Sequence, residues 1–186
     1  MRYIVCLVVT LAMPAAAQQP GQAQTEAFIA DIAEDRPRTS SHITESYDLA
    51  FDGPRMSMTW DYDNSRVGTS DTVTSADLRD FDLVRLRTSD NDDHWRYGCR
   101  ANYATLHCRS GDCVRSRERR TYYDGDPSVT EEQSLDTMWI AFTCDGDFRP
   151  IRRVGNALQH LGRIHGVDIT VSDELYDRES IGSAFD

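Results

Sequence analysis

Two cysteines, Cys108 and Cys113, stand at the ends of CRSGDC, and Cys99 and Cys144 flank them at a distance. These four thiols limit the chain more than any other feature, because they hold a metal, run redox chemistry or cross-link the fold. A structural zinc site takes two close pairs, each with two to four intervening residues. Only Cys108 and Cys113 approach that spacing here. A redox pair has two intervening residues at a helix start, whereas CRSGDC has four, Gly111-Asp112 among them, between strand-like segments. The pattern therefore predicts cross-links.

The N-terminus supports an oxidising destination. Arg2 precedes an apolar run from Tyr3 to Met13, followed by Ala15, Ala16 and Ala17. This is the three-part pattern of a secretory signal peptide over residues 1–17. At about 11 residues the run is too short to span a bilayer, and no later segment of the mature chain is apolar enough to do so. Cleavage after Ala17 removes Cys6 and leaves an even number of cysteines, which in an exported protein reads as disulfides. The expected location is periplasmic or secreted.

Four cysteines allow three pairings, and strand periodicity chooses among them. In HWRYGC, Trp95, Tyr97 and Cys99 share a face. In NYATLHC, Ala104, Leu106 and Cys108 do, and in MWIAFTC, Met138, Ile140, Phe142 and Cys144 do. Cys108 and Cys113 flank a tight turn, so they are expected to bond to each other, which leaves Cys99 with Cys144.

The chain contains no lysine; all 20 of its basic residues counted as Lys+Arg are arginine. That excludes a Schiff-base lysine, a phosphate-loop lysine and a Ser–Lys pair. The net charge of −11 argues against nucleic acid as a partner. No Gly-x-Ser-x-Gly, His-Glu-x-x-His or phosphate-loop motif occurs, and no cofactor is expected.

Residues 18–42 read as a flexible leader with a short helix in TEAFIADIAED, Thr25 capping it and Phe28, Ile29 and Ile32 on one side. Short strands begin at Ile43. ITESYDLAF and RMSMTWDY are joined by the turn signal DGPR. DNSRVGTSD reads as a loop, and TVTSADLRDFDLVRLRT as a turn and then a strand with Val84 and Leu86 opposite Arg85 and Arg87. HWRYGC, NYATLHC and CVRSRERRTYY follow as strands, DGDPSVTEEQS as a long acidic loop, and TMWIAFTC as a strand. The period then changes. Ile151, Val154, Leu158 and Leu161 form a helical stripe, with Asp147 as N-cap, Pro150 in the first turn and Gly166 as the stop. The expected fold is α+β: an antiparallel sheet of six to seven strands packed against one C-terminal amphipathic helix, in a single domain over 43–171, with an acidic tail over 172–186.

The run LHCRSGDCV between strands, followed by RRVGNALQHLGRIHG, resembles a group of small uncharacterised bacterial exported proteins over roughly residues 75–166. The resemblance implies a pleckstrin-homology-like sheet, or a partly open barrel, with a C-terminal helix, and implies no activity. The chain departs from that group in ending its helix with IHG rather than a cysteine-containing turn.

Among candidate sites, Arg115, Arg117 and Arg119 alternate along one strand with Arg109 in the neighbouring turn, an anion-binding arrangement for a carboxylate or phosphate. Pairing with the acids of adjacent strands or of DGDPSVTEE is the expected role of these arginines, with the anion site as the alternative. His94 and His107 lack a third metal ligand. The acidic groups Asp61, Asp63 and Asn64, and Asp124 with Asp126, fail the calcium-loop order, so no metal site is assigned. These features together predict an exported, disulfide-stapled, non-enzymatic domain that binds a protein or another envelope component. A small hydrolase using Asp or Glu and a structural envelope protein are the alternatives.

Overall fold

The computed structural model of the chain describes residues 20–33, 38–39, 41–88, 102–142 and 149–173. Helix α1 (Gln22–Ala33) is followed by β1 (Arg38–Thr39), β2 (Ile43–Asp52), β3 (Arg55–Asn64) and β4 (Gly68–Asp77). After a 3-10 turn (Leu78–Asp80) come β5 (Phe81–Thr88), β6 (Asn102–Cys108), β7 (Val114–Tyr122), β8 (Val129–Leu135) and β9 (Thr137–Phe142). Helix α2 (Arg149–Ile164) and β10 (Thr170–Asp173) complete the order. The α+β class and the sheet-packing C-terminal helix are as the sequence predicts. The strands, however, form two sheets that do not close into a barrel: β1-β2-β3-β4-β7-β8, antiparallel throughout, and β10-β5-β6-β9, in which β10 runs parallel to β5.

The split has a local cause. β4 leads into β5, β6 into β7, and β8 into β9, and the members of each pair lie in different sheets. Strands that change sheets do so at bends and bulges. Here the three bends are tied together: Cys108 N–H donates to Asp136 O at 2.8 Å, and Arg109 N–H donates to Asp80 O at 2.7 Å. The Cys108–Cys113 disulfide closes the middle bend, with Gly111 at φ 59° supplying its left-handed residue. The staple expected from CRSGDC thus clips the corner where three strands turn.

The core fills the angle between the sheets and the helices. Met56, Leu78, Phe81, Leu106, Met138 and Ile140 are buried together with Ile151, Val154, Leu158 and Leu161 of α2. Two mid-helix glycines, each costing about 1 kcal/mol of helix propensity relative to alanine, allow α2 to lie this close. A Cβ on Gly155 would sit 3.0 Å from Val171 Cγ1, and one on Gly162 would sit 2.9 Å from Ile169 Cδ1. The helix ends as expected at Gly166, φ 79°, with Val167 N–H bonded to Gly162 O and Gly166 N–H to Arg163 O.

Four expectations are corrected. The leader's helix is longer than TEAFIADIAED suggested and packs on α2 and β2. Its Ile29 is fully buried, and Thr25 lies inside the helix, its hydroxyl bonded to Gly21 O, rather than at the cap. The stretch read as a polar loop and turn contains β4, and the acidic loop contains β8. Ser172 and Asp173, expected in the acidic tail, belong to β10. Cys99, Cys144, His94 and Asp147 lie outside the described residues.

Candidate functional site

β7 carries opposite chemistry on its two faces. Arg115, Arg117 and Arg119 point outward, as the alternation predicts, and all three are exposed. Arg115 donates to Ser134 Oγ, Arg117 stands 3.8 Å from Glu132, and Arg119 is paired across the ladder with Asp71. The acids of neighbouring strands therefore intersperse the arginine row. Arg109 does not join it: its guanidinium turns to Phe81 O at the corner. Exposed ion pairs of this kind contribute little. Replacing Arg115, Arg117 and Arg119 together with Gln should shift chemical-denaturation stability by less than about 1 kcal/mol, and a larger loss would show the row to be structural.

The inner face of the first sheet is ordered by register. Nearest the corner lies the row Phe51, Met56, Ala76, and after it the row Leu49, Met58, Thr74, Ser116, which is buried. The next row outward is Tyr47, Trp60, Thr72, Glu118, Glu131, and the one beyond it is Glu45, Tyr62, Ser70, Arg120, Val129. The face thus grades from apolar to aromatic to charged within one strand length. Trp139 of β9 meets the aromatic row from the second sheet, 6.3 Å from the Tyr47 ring and 6.2 Å from the Trp60 ring, and Tyr103 backs it at 6.0 Å. Tyr47 and Trp60 stack at an interplanar angle of 3°. Edge-to-face and offset-stacked rings of this kind attract beyond their buried area. Here they bridge the first sheet to β9, which among the described residues is joined to that sheet by no hydrogen-bonded ladder.

Beside this cluster is a pocket of about 230 Å³, lined by Trp60, Tyr62, Gly68, Ser70, Glu118 and Arg120 among others. Arg120 grips Glu118 with two parallel bonds of 2.7 Å, and Ser70 Oγ donates to the same carboxylate at 2.7 Å. The Arg120 hydrogen bonds hold the Glu118 pKa below the ordinary carboxylate value against the opposing pull of burial, and the Ser70 bond adds to them. Arg120 also stands 3.9 Å from Glu131. Gly68 is required where it sits: a Cβ there would lie 2.0 Å from Thr121 O. Trp60 Nε1 and Thr72 Oγ1, neighbours in one row, are buried without hydrogen-bond partners, a deficit that costs about 1–3 kcal/mol per group.

His107, on β6, is a further buried polar group without a partner at Nε2. Burial first, then the charges of Arg85 and Arg87, push its pKa down, against Asp136 and Asp82. A histidine with a lowered folded pKa destabilises the fold as pH drops through its unfolded value of about 6.5. Glu118 has the depressed carboxylate pattern, so its contribution is present above the unfolded value of about 4.3 and is lost as pH falls through the folded one. Thermal melts recorded on descending pH should show an early decline beginning near pH 6.5 and a later one below about pH 4.3. His107→Gln should abolish the early decline alone, and an unchanged early decline in that variant would contradict the assignment.

Among the described residues no group of three or more His, Cys, Asp or Glu could hold a metal. Asp63, in place of a calcium loop, lies on β3 and accepts a hydrogen bond from Tyr123 Oη at 3.0 Å. No described helix is long and apolar enough to cross a membrane. No family model, curated protein or solved structure matches the chain, so the functional reading rests on its own residues.

The sequence reading missed this site by following the odd-numbered residues of β7. Glu118 and Arg120 are on the even-numbered face, and the signal for it was present in RMSMTWDY, where Trp60 and Tyr62 continue the alternation of Met56 and Met58.

Proposed function

We propose that this is an exported, disulfide-stapled domain that binds an envelope component or another macromolecule without converting it, and that the ligand docks on the inner face of the first sheet. The observation that carries the reading is the Glu118–Arg120 clamp set against Trp60 and Tyr62 in one pocket. Aromatic faces supply contact area at low entropic cost, and a few fixed polar groups supply orientation. Export is supported by the N-terminal charge–apolar–alanine pattern and by the cross-linked corner.

A hydrolase built on carboxylates is the rival, and Glu118 and Glu131 are cross-strand neighbours. A general acid at neutral pH needs a raised carboxyl pKa. Glu118 is shifted the other way, and both its oxygens are held by Arg120. These features favour binding.

Co-sedimentation of the mature protein with isolated cell envelopes tests the proposal. The wild type should pellet with the envelopes and a Tyr62→Ala/Arg120→Gln double variant should stay in solution. Equal behaviour of the two would remove the inner face from the interaction. Small products released from the envelopes by the wild type alone would establish the hydrolase instead.

A further inference from the structure

The charges around the pocket select the chemistry of what enters it. We infer that the pocket between Trp60, Tyr62 and the Glu118–Arg120 clamp is a subsite for an uncharged sugar ring. The inference rests on the inner face being a binding surface.

An anion needs a surplus of positive charge, and here Arg120 is matched by Glu118 and faces Glu131 at 3.9 Å. A phosphate or carboxylate would meet two carboxylates for one guanidinium. A cation over the rings would gain from the aromatic faces, but it would sit against Arg120, and the charge of the nearest carboxylate is already matched by that guanidinium. A purely apolar ligand would strip water from the clamp without replacing its hydrogen bonds.

An uncharged ring that carries hydroxyls on its rim and C–H groups on its faces meets all of these conditions. Its C–H face covers an aromatic ring. Its hydroxyls donate to lone pairs that Glu118 keeps beyond those used by Arg120 and Ser70, and accept from the remaining guanidinium N–H groups. Because the clamp fixes carboxylate and guanidinium side by side, it offers an acceptor and a donor at a set spacing, which suits two neighbouring hydroxyls. The pocket, about 230 Å³, is of the order of one ring rather than an extended chain. A longer glycan would leave its remaining rings along the row toward Tyr47 and Trp139.

The test uses the mature disulfide-bonded protein with ¹⁵N-labelled indoles, titrated separately with N,N′-diacetylchitobiose, maltotriose, inorganic phosphate and tetramethylammonium. At least one of the two saccharides should shift the Trp60 indole N–H resonance saturably. Tyr62→Ala and Glu118→Gln should each weaken that binding about tenfold or more, with melting temperatures recorded as a control on folding. Tyr62→Phe, which keeps the ring and removes the hydroxyl, should bind within about threefold of the wild type. If phosphate or tetramethylammonium shifts the indole and neither saccharide does, the sugar inference is overturned while the inner face stands as a binding surface. If none of the four shifts it and envelope sedimentation is also insensitive to the Tyr62→Ala/Arg120→Gln change, both readings fail together. If the saccharides bind with equal strength to wild type and to Glu118→Gln, the clamp has no part in recognition and the assignment is wrong.

Discussion

Leu158→Ala should destabilise the chain by about 2–5 kcal/mol, measured by urea or guanidinium unfolding of the oxidised protein. Leu158 is fully buried on the stripe that runs through Ile151, Val154 and Leu161. Gly155, one turn before it, lets the helix approach Leu86 and Val171 so closely that a Cβ there would lie 3.1 Å from Leu86 Cδ1. A helix held at that distance cannot sink further to refill a void, because its glycines already place it near contact. The cost therefore belongs toward the upper end of the range, where the cavity survives. Arg153→Ala, on the exposed side of α2 and over the Phe28 ring at 4.7 Å, should cost less than about 1 kcal/mol. A loss below about 0.5 kcal/mol for Leu158→Ala would mean that α2 is not seated on the sheet.

What could be read from the chain follows from where each element takes its stability. The stripe of α2 was legible because burial there is one-sided and the period of 3.6 exposes it. The β2–β3 hairpin was legible because Gly53, at φ 58°, supplies the conformation that its two-residue turn demands. β4 and β8 were not. β4 buries only Gly68, Thr74 and Ala76, and no residue of β8 is fully buried. Their place is set by ladder pairing to β3 and β7 rather than by a buried face, so they carry no local hydrophobic period. The division into two sheets was hidden for a related reason. It depends on hydrogen bonds from Cys108 and Arg109 to Asp136 and Asp80, far from one another along the chain. The aromatic row has the same character, since Tyr47, Trp60, Tyr103 and Trp139 come from four strands of two sheets. A sequence shows which face a residue takes on its own strand. It does not show which other face that one will meet.

Non-reducing peptide mapping of the oxidised protein should find two cross-links, Cys108 with Cys113 and Cys99 with Cys144. The first is present in the structure with a Cα–Cα separation of 5.8 Å. For the second, the β6–β9 ladder brings the ends of two strands together: Asn102, three residues after Cys99 in the sequence, is paired with Phe142, two residues before Cys144. With Cys108 and Cys113 already joined, Cys99 and Cys144 are left to each other among the four cysteines after residue 17. The two bonds should differ in their effect. In the chain-entropy picture, removing the short staple by Cys108→Ser with Cys113→Ser costs about 2 kcal/mol, and removing the long one by Cys99→Ser with Cys144→Ser costs about 4 kcal/mol. The corner complicates the smaller figure in an informative way. Asp80 and Asp136 take hydrogen bonds from the backbone of Arg109 and Cys108 whether or not the sulfurs are joined, so the bend keeps part of its definition without the staple. β9 is an edge strand of the second sheet, paired with β6, and its Trp139 meets Tyr47 and Trp60 of the first sheet. Loss of the long bond should therefore release β9 first, seen as increased amide exchange at Trp139 and Ile140 before any change at Val114 or Ser116. Cys99 found joined to Cys108 or Cys113, or free thiols at Cys99 and Cys144 in oxidised material, would defeat the pairing. If instead the short-staple variant were the less stable of the two, the corner rather than the long loop would be what the cross-links chiefly protect.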